Sequence, residues 1–187
     1  LLDAVDRPAA LAPAPARYDG VTIALHWATA VLVLLQFALA ETWGFFPRPV
    51  HHLMVVGHMS FGLILTAVVA LRLGWRGTAG RVLPPPGHGL LDLAAKALHR
   101  ILYVLLGAEI LLGFVTRWTD NQALSFFGLL IPSPFGSFSK ATGNFVDQIH
   151  DLNAWLIMGL VSAHAVAALG HHYLLKDGVL RRMLPLR

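Results

Sequence analysis

The chain has 187 residues, of which 56% are hydrophobic and only 13% charged, and it contains no cysteine. That balance is unlike a soluble domain, and the lack of cysteine excludes disulfides, iron–sulfur clusters and the Cys-x-x-Cys-His attachment of c-type haem. The net charge of +4 comes with no groove-reading motif, so it is read as an orientation and lipid-headgroup signal, and no nucleic-acid partner is expected.

In chain order, residues 1–16 place Pro8, Pro13 and Pro15 among alanines and read as an irregular cytoplasmic arm. Residues 17–187 read as a single four-helix transmembrane domain. Residues 21–40 and 52–71 each form an apolar run without a formal charge, long enough to cross a bilayer. The first is too long for a cleaved signal peptide and is followed by further spans, and a chain that starts at Leu1 is expected to be a trimmed form. Pro84, Pro85, Pro86, Gly87 and Gly89 interrupt the next connection, and a third helix is expected to begin near Leu90. Residues 101–116 carry a single acid, Glu109, and residues 152–169 carry no charge; Lys96, Arg100 and Asp151 can sit at the interface and lengthen both spans. The connection over 117–145 is the longest on the outer side, and its apolar patch, residues 124–131, is expected to form a short interfacial helix ended by Pro132 and Pro134. The fold class is therefore all-α, an integral membrane four-helix bundle.

Orientation follows from the basic residues. Eleven of the 14 Lys and Arg fall in the N-terminal arm, the second connection and the tail, against Arg48, Arg117 and Lys140 on the opposite side. The positive-inside rule then predicts an N-in/C-in topology.

Histidine is the residue left to carry chemistry. There are ten, whereas the two glutamates, Glu41 and Glu109, are too few for a carboxylate-rich di-iron bundle. One buried histidine is more often a hydrogen-bonded core residue than a ligand, so the set is judged by depth. His150 and His164 are fourteen residues apart on the last span, which puts them on one helical face about 21 Å apart along the axis, inside a hydrocarbon core about 30 Å thick. With the N-terminus inside, His26 matches His164 in depth near the cytoplasmic side, and His58 matches His150 near the outer side. Two bis-imidazole haems, one per leaflet, use all four. His99 and Arg72 are candidates for a haem propionate or quinone contact, His99 beside the equal alternative of a helix cap that snorkels to the interface, and His171, seven residues beyond His164, is a candidate quinone contact beside the alternative of an interfacial polar residue. His51 and His52 are expected to be solvated. Gly57, Gly62, Gly107, Gly113 and Gly159 are expected to relieve crowding between helices. Glu109 is anomalous near mid-membrane, either protonated, paired with an unseen polar group, or part of a proton relay.

The residues also resemble a known family. Ala-Leu-His-Trp at 24–27, Gly-Phe-Phe-Pro-Arg at 44–48, His-Met-Ser-Phe-Gly at 58–62, Arg72, His99 with Tyr103, Phe-Gly-Leu-Leu-Ile-Pro at 127–132 and the run Ser-Ala-His-Ala-Val-Ala-Ala-Leu-Gly-His-His-Tyr-Leu-Leu-Lys-Asp at 162–177 are similar to bacterial cytochrome b561. The resemblance spans about Arg17 to Pro185. It implies two non-covalent b-type haems on His26, His58, His150 and His164, exchange of electrons with ubiquinone near the cytoplasmic face and, in one branch, oxidation of periplasmic superoxide. Related cytochromes anchor redox enzymes to the membrane, so a subunit serving a periplasmic redox partner is a second expectation, and a haem-free histidine-lined transporter is a third. Two departures stand out: Glu109 takes the place of an apolar residue, and Arg48, Arg117 and Lys140 are balanced by Glu41, Asp120 and Asp147.

Overall fold

The computed structural model describes residues 17–84, 89–136 and 138–185. The arm over 1–16 and the breakers Pro85, Pro86 and Gly87 lie outside the described residues.

Four long helices carry the fold: α1 (Gly20–Thr42), α2 (Arg48–Thr78), α3 (Leu90–Thr119) and α4 (Lys140–Gly170). Each is long and apolar enough to cross a membrane. Their starts are set by local chemistry. The Asp19 carboxylate caps α1 by accepting from Thr22 N at 2.8 Å, and Ser139 Oγ caps α4 by accepting from Thr142 N at 3.1 Å. Pro47 and Pro49 flank the start of α2, where backbone N–H groups lack helical partners anyway. Within the spans, Thr29, Ser60 and Thr66 each donate to the carbonyl four residues back, so no hydroxyl of the three meets lipid unpaired.

The helices run as two hairpins, α1 along α2 and α3 along α4, which meet more sparsely through α2 and α3. Leu65, Val69 and Leu106 form the buried core with Leu32, Val33 and Ile110 packed on it. Leu34, Leu111, Leu152, Leu156 and Val166 point outward, as the lipid-facing side of a bundle requires. One end of the bundle holds the α1–α2 and α3–α4 connections. The other, basic end holds the start of α1, the end of α2, the start of α3 and the tail.

Two expectations are corrected. Residues 124–131 are a β-hairpin, β1 (Leu124–Phe126) against β2 (Leu129–Ile131), and not an interfacial helix. The reason is the two-residue loop: Phe127 and Gly128 both take positive φ, 48° and 96°, which is the turn geometry that matches the twist of paired strands. Of the five glycines, Gly57, Gly62 and Gly113 face close neighbours, but an added methyl at Gly107 or Gly159 would meet nothing within 4 Å, so no neighbour crowds those two positions.

Candidate functional site

The structure brings the four span histidines together in two pairs. His58 of α2 and His150 of α4 have ring centres 6.4 Å apart with planes at 88°, and His26 of α1 and His164 of α4 have ring centres 6.4 Å apart with planes at 75°. Two imidazoles bound to opposite sides of one iron, each through a nitrogen at about 2 Å, have ring centres about 6.3 Å apart. Both pairs fit that spacing. His99 lies only 5.1 Å from His164, closer than that spacing. Among the described residues no three or more His, Cys, Asp or Glu converge on one metal-sized position, and the donors come two by two.

The pair at the connection end opens on a cavity of about 790 Å³ reached by all four helices, with Phe37, His58, Glu109 and His150 among its walls. That is within the range of cofactor pockets. His58 Nδ1 lies 3.2 Å from the Gln36 carbonyl, and Gln36 Nε2 donates to the His58 carbonyl at 2.9 Å, so the amide residue clasps the histidine from both sides. The carbonyl fixes the proton on Nδ1 and leaves Nε2 with its lone pair for a metal. Gly62 makes the clasp possible, since a methyl there would come within 2.8 Å of Gln36 Nε2. On the facing helix His150 Nδ1 is buried without an aligned hydrogen bond, and Glu109 Oε1 is 3.2 Å away. Asn153 Nδ2 donates to Glu109 Oε2 at 2.7 Å and to the Leu105 carbonyl at 3.0 Å. Gly113 leaves room for the ring, with His150 Cε1 3.4 Å from the place of an added methyl.

At the basic end Arg72 is central. Its Nη2 is 3.0 Å from His26 Nδ1, and its guanidinium lies 5.2 Å from the centre of the Tyr103 ring. His99 turns its Nδ1 to the Ala95 carbonyl at 2.6 Å. His171 opens a π-helical turn, His171–Leu175, and its ring is held by Asp177. Burial opposes the charge on Asp177, yet the contacts from His171 and from Val179 N keep that carboxyl below its ordinary range. Arg72 and His99 thus join the His26–His164 pair, while His171 is engaged by Asp177. His51 and His52 are exposed, with His51 stacked on Trp43.

Gln36 and Asn153 were passed over in the sequence. The signal available was their position, since an amide inside an apolar span needs a polar partner.

The acidic character of the first cavity is a further property. Glu41, Asp120, Asp147, Asp151 and Glu109 line it against one cation, Arg117.

Residues 17–186 match the family model described as prokaryotic cytochrome b561. Among curated proteins the chain is 32% identical to cytochrome b561 homolog 2 of Escherichia coli K12, covering 91% of this chain and 92% of that protein. It is 33% identical to cytochrome b561 homolog 1 of the same organism, covering 91% and 98%. It is 29% identical to a probable superoxide oxidase of Yersinia pestis, covering 90% and 96%. Family membership implies oxidoreductase activity with haem cofactors and supports quinone-linked transmembrane electron transfer. With its four apolar helices and these relatives, the chain is a multi-pass protein of the bacterial inner membrane, and it belongs to the prokaryotic cytochrome b561 family.

Proposed function

We propose that the chain passes electrons across the membrane through two b-type haems, one held by His58 and His150 and the other by His26 and His164, with ubiquinone reduced at the basic end. The observation that carries this reading is the 6.4 Å spacing shared by both histidine pairs. In the N-in/C-in orientation the first pair faces the periplasm and the second the cytoplasm. Haem held by these histidines would supply a one-electron carrier at each end of the bundle.

The protein residues do the rest. Gln36 fixes the proton of His58, and Arg72 places a cation beside His26, where it can balance a propionate or the oxygen of a reduced quinone. Two electrons and two protons turn a quinone into a quinol. His99, at the same level, and His171, within the terminal turn, are the polar groups that would contact quinone and hand it those protons.

The donor has two readings. Superoxide follows from the resemblance and from the probable superoxide oxidase among the relatives. The acid-lined cavity favours a redox partner protein with a cationic docking face, because five carboxyl groups against one arginine repel an anion. Donor oxidation measured against ionic strength separates them: the rate with superoxide rises as salt screens the repulsion, and the rate with a cationic partner falls.

The test of the whole reading is a spectrum. The purified protein is red, shows the reduced α-band of bis-histidine b-type haem, and yields two haems per chain on acid–organic extraction. A colourless protein from haem-replete cells overturns the proposal and leaves a haem-free transporter standing.

A further inference from the structure

Glu109 is the one acid within the 101–116 apolar stretch, and nothing in the electron path just described uses it. Its surroundings show a built position. Asn153, buried on α4, donates through Nδ2 to Glu109 Oε2 at 2.7 Å and ties the same nitrogen to the Leu105 carbonyl at 3.0 Å. The second oxygen, Oε1, is thereby turned to His150 Nδ1 at 3.2 Å, and that nitrogen is buried with no other partner. A buried N–H left unpaired is costly, so a small rotation of the ring that completes this hydrogen bond is favoured.

The two pairs differ in the charge set against them. His150 has a carboxyl group at its outer nitrogen, whereas His26 has the Arg72 guanidinium at 3.0 Å. A carboxylate that accepts from the outer N–H of a ligating histidine makes the ring a stronger donor and favours the oxidised metal. A cation beside the ligand acts in the opposite sense.

Resting on the haem reading above, we infer that Glu109, held by Asn153, is a positioning residue that orients His150 and lowers the potential of the His58–His150 centre, so that electrons run downhill toward the His26–His164 centre. Glu109 therefore gives the chain a direction.

The experiment is a redox titration of the haem-loaded protein in parallel with Glu109→Gln and Asn153→Ser. Glu109→Gln keeps the size and an acceptor oxygen but removes the charge; Asn153→Ser releases Glu109 without touching His150. In Glu109→Gln both haems stay, and at a fixed ambient potential the reduced-to-oxidised ratio of the low-potential centre rises about tenfold, a midpoint shift of about 59 mV. The other midpoint stays where it is. Asn153→Ser shifts the same centre in the same direction by less. Midpoints unmoved in variants that keep both haems, equal movement of both centres, or loss of the haem from both variants overturns the inference, the last by making the cluster merely structural. A wild-type protein without haem overturns the parent reading as well, so the two failures are told apart by colour.

Discussion

Three of the four paired histidines have a neighbour of a different kind at the second ring nitrogen. A free imidazole rotates about two bonds, and fixing it at a metal costs entropy unless its second nitrogen is already engaged. His58 has the Gln36 carbonyl and His150 has Glu109, both acceptors for a ring N–H, whereas the Arg72 guanidinium beside His26 can only donate and acts there as a charge. Alanine variants should sort accordingly. His58→Ala and His150→Ala each lose one haem, the same one by midpoint, and His26→Ala and His164→Ala each lose the other, halving haem per chain in all four. Redox titration of the set checks this, and a phenotype shared by His26 and His150 would refute the pairing. The depths of these residues could be read from spacing along the spans, since a helix rises by a fixed amount per residue. Their neighbours could not. Whether Asn153 meets Glu109 depends on how α3 and α4 are rotated about their own axes, and a single sequence leaves that rotation open.

At the scale of elements, the β-hairpin roofs the first histidine pair by way of Ser60. This side chain is fully buried two residues beyond His58, accepts from Phe127 N at 2.8 Å, and lies 3.4 Å from the Ser125 carbonyl. Its hydroxyl is thus a pin between α2 and the turn. Ser60→Ala strands the Phe127 N–H and should destabilise the protein by about 1–3 kcal/mol. Hydrogen exchange should show faster opening over residues 124–131 with the helices unchanged; exchange at the wild-type rate there would show that the pin is not needed. The four helices were legible because apolar runs of bilayer length leave little choice of structure. The hairpin was not, because a short apolar run has no period that separates strand from helix. The cue was Gly128 in the middle of the run, where a two-residue turn needs positive φ.

Across the described residues, the basic end is laced shut by the segment that follows α4. Tyr18 N donates to the Arg182 carbonyl, Trp27 Nε1 to the Met183 carbonyl at 2.8 Å, and Arg182 Nη1 to the Pro84 carbonyl at 2.8 Å. Asp19 is the knot: besides capping α1 it accepts from Trp75 Nε1 and Arg81 N, both at 3.0 Å, joining the start of α1 to the end of α2. The hydrogen bonds from Thr22, chiefly, and then from Arg81 and Trp75 hold its carboxyl well below the ordinary range. A depressed folded pKa means that the stabilisation is complete above the unfolded value, about 3.9, and fades as pH falls below it. Asp19→Ala should therefore cost about 1 kcal/mol at pH 7, the usual worth of such a cap. The gap between variant and wild type should narrow as pH drops below about 4. Thermal unfolding in detergent at pH 7 and pH 3 measures both, and a gap independent of pH would remove the charge from the explanation.

Orientation decides what the two ends mean. Bringing the acid-lined cavity to the periplasm and the Arg72 cluster to the cytoplasm requires that the basic end stay inside, as expected when eleven of the 14 Lys and Arg lie in its segments. The imbalance is large, and it is spread over the arm, one connection and the tail, so no single charge controls it. The absence of cysteine makes a direct test clean. Ala79→Cys, exposed at the end of α2, and Ala141→Cys, exposed at the start of α4, report the two ends. A membrane-impermeant maleimide applied to intact spheroplasts should label position 141 at once and position 79 only after the membrane is opened. Labelling of position 79 in intact spheroplasts would invert the bundle, put the acidic cavity in the cytoplasm, and rule out a periplasmic donor at the His58–His150 pair.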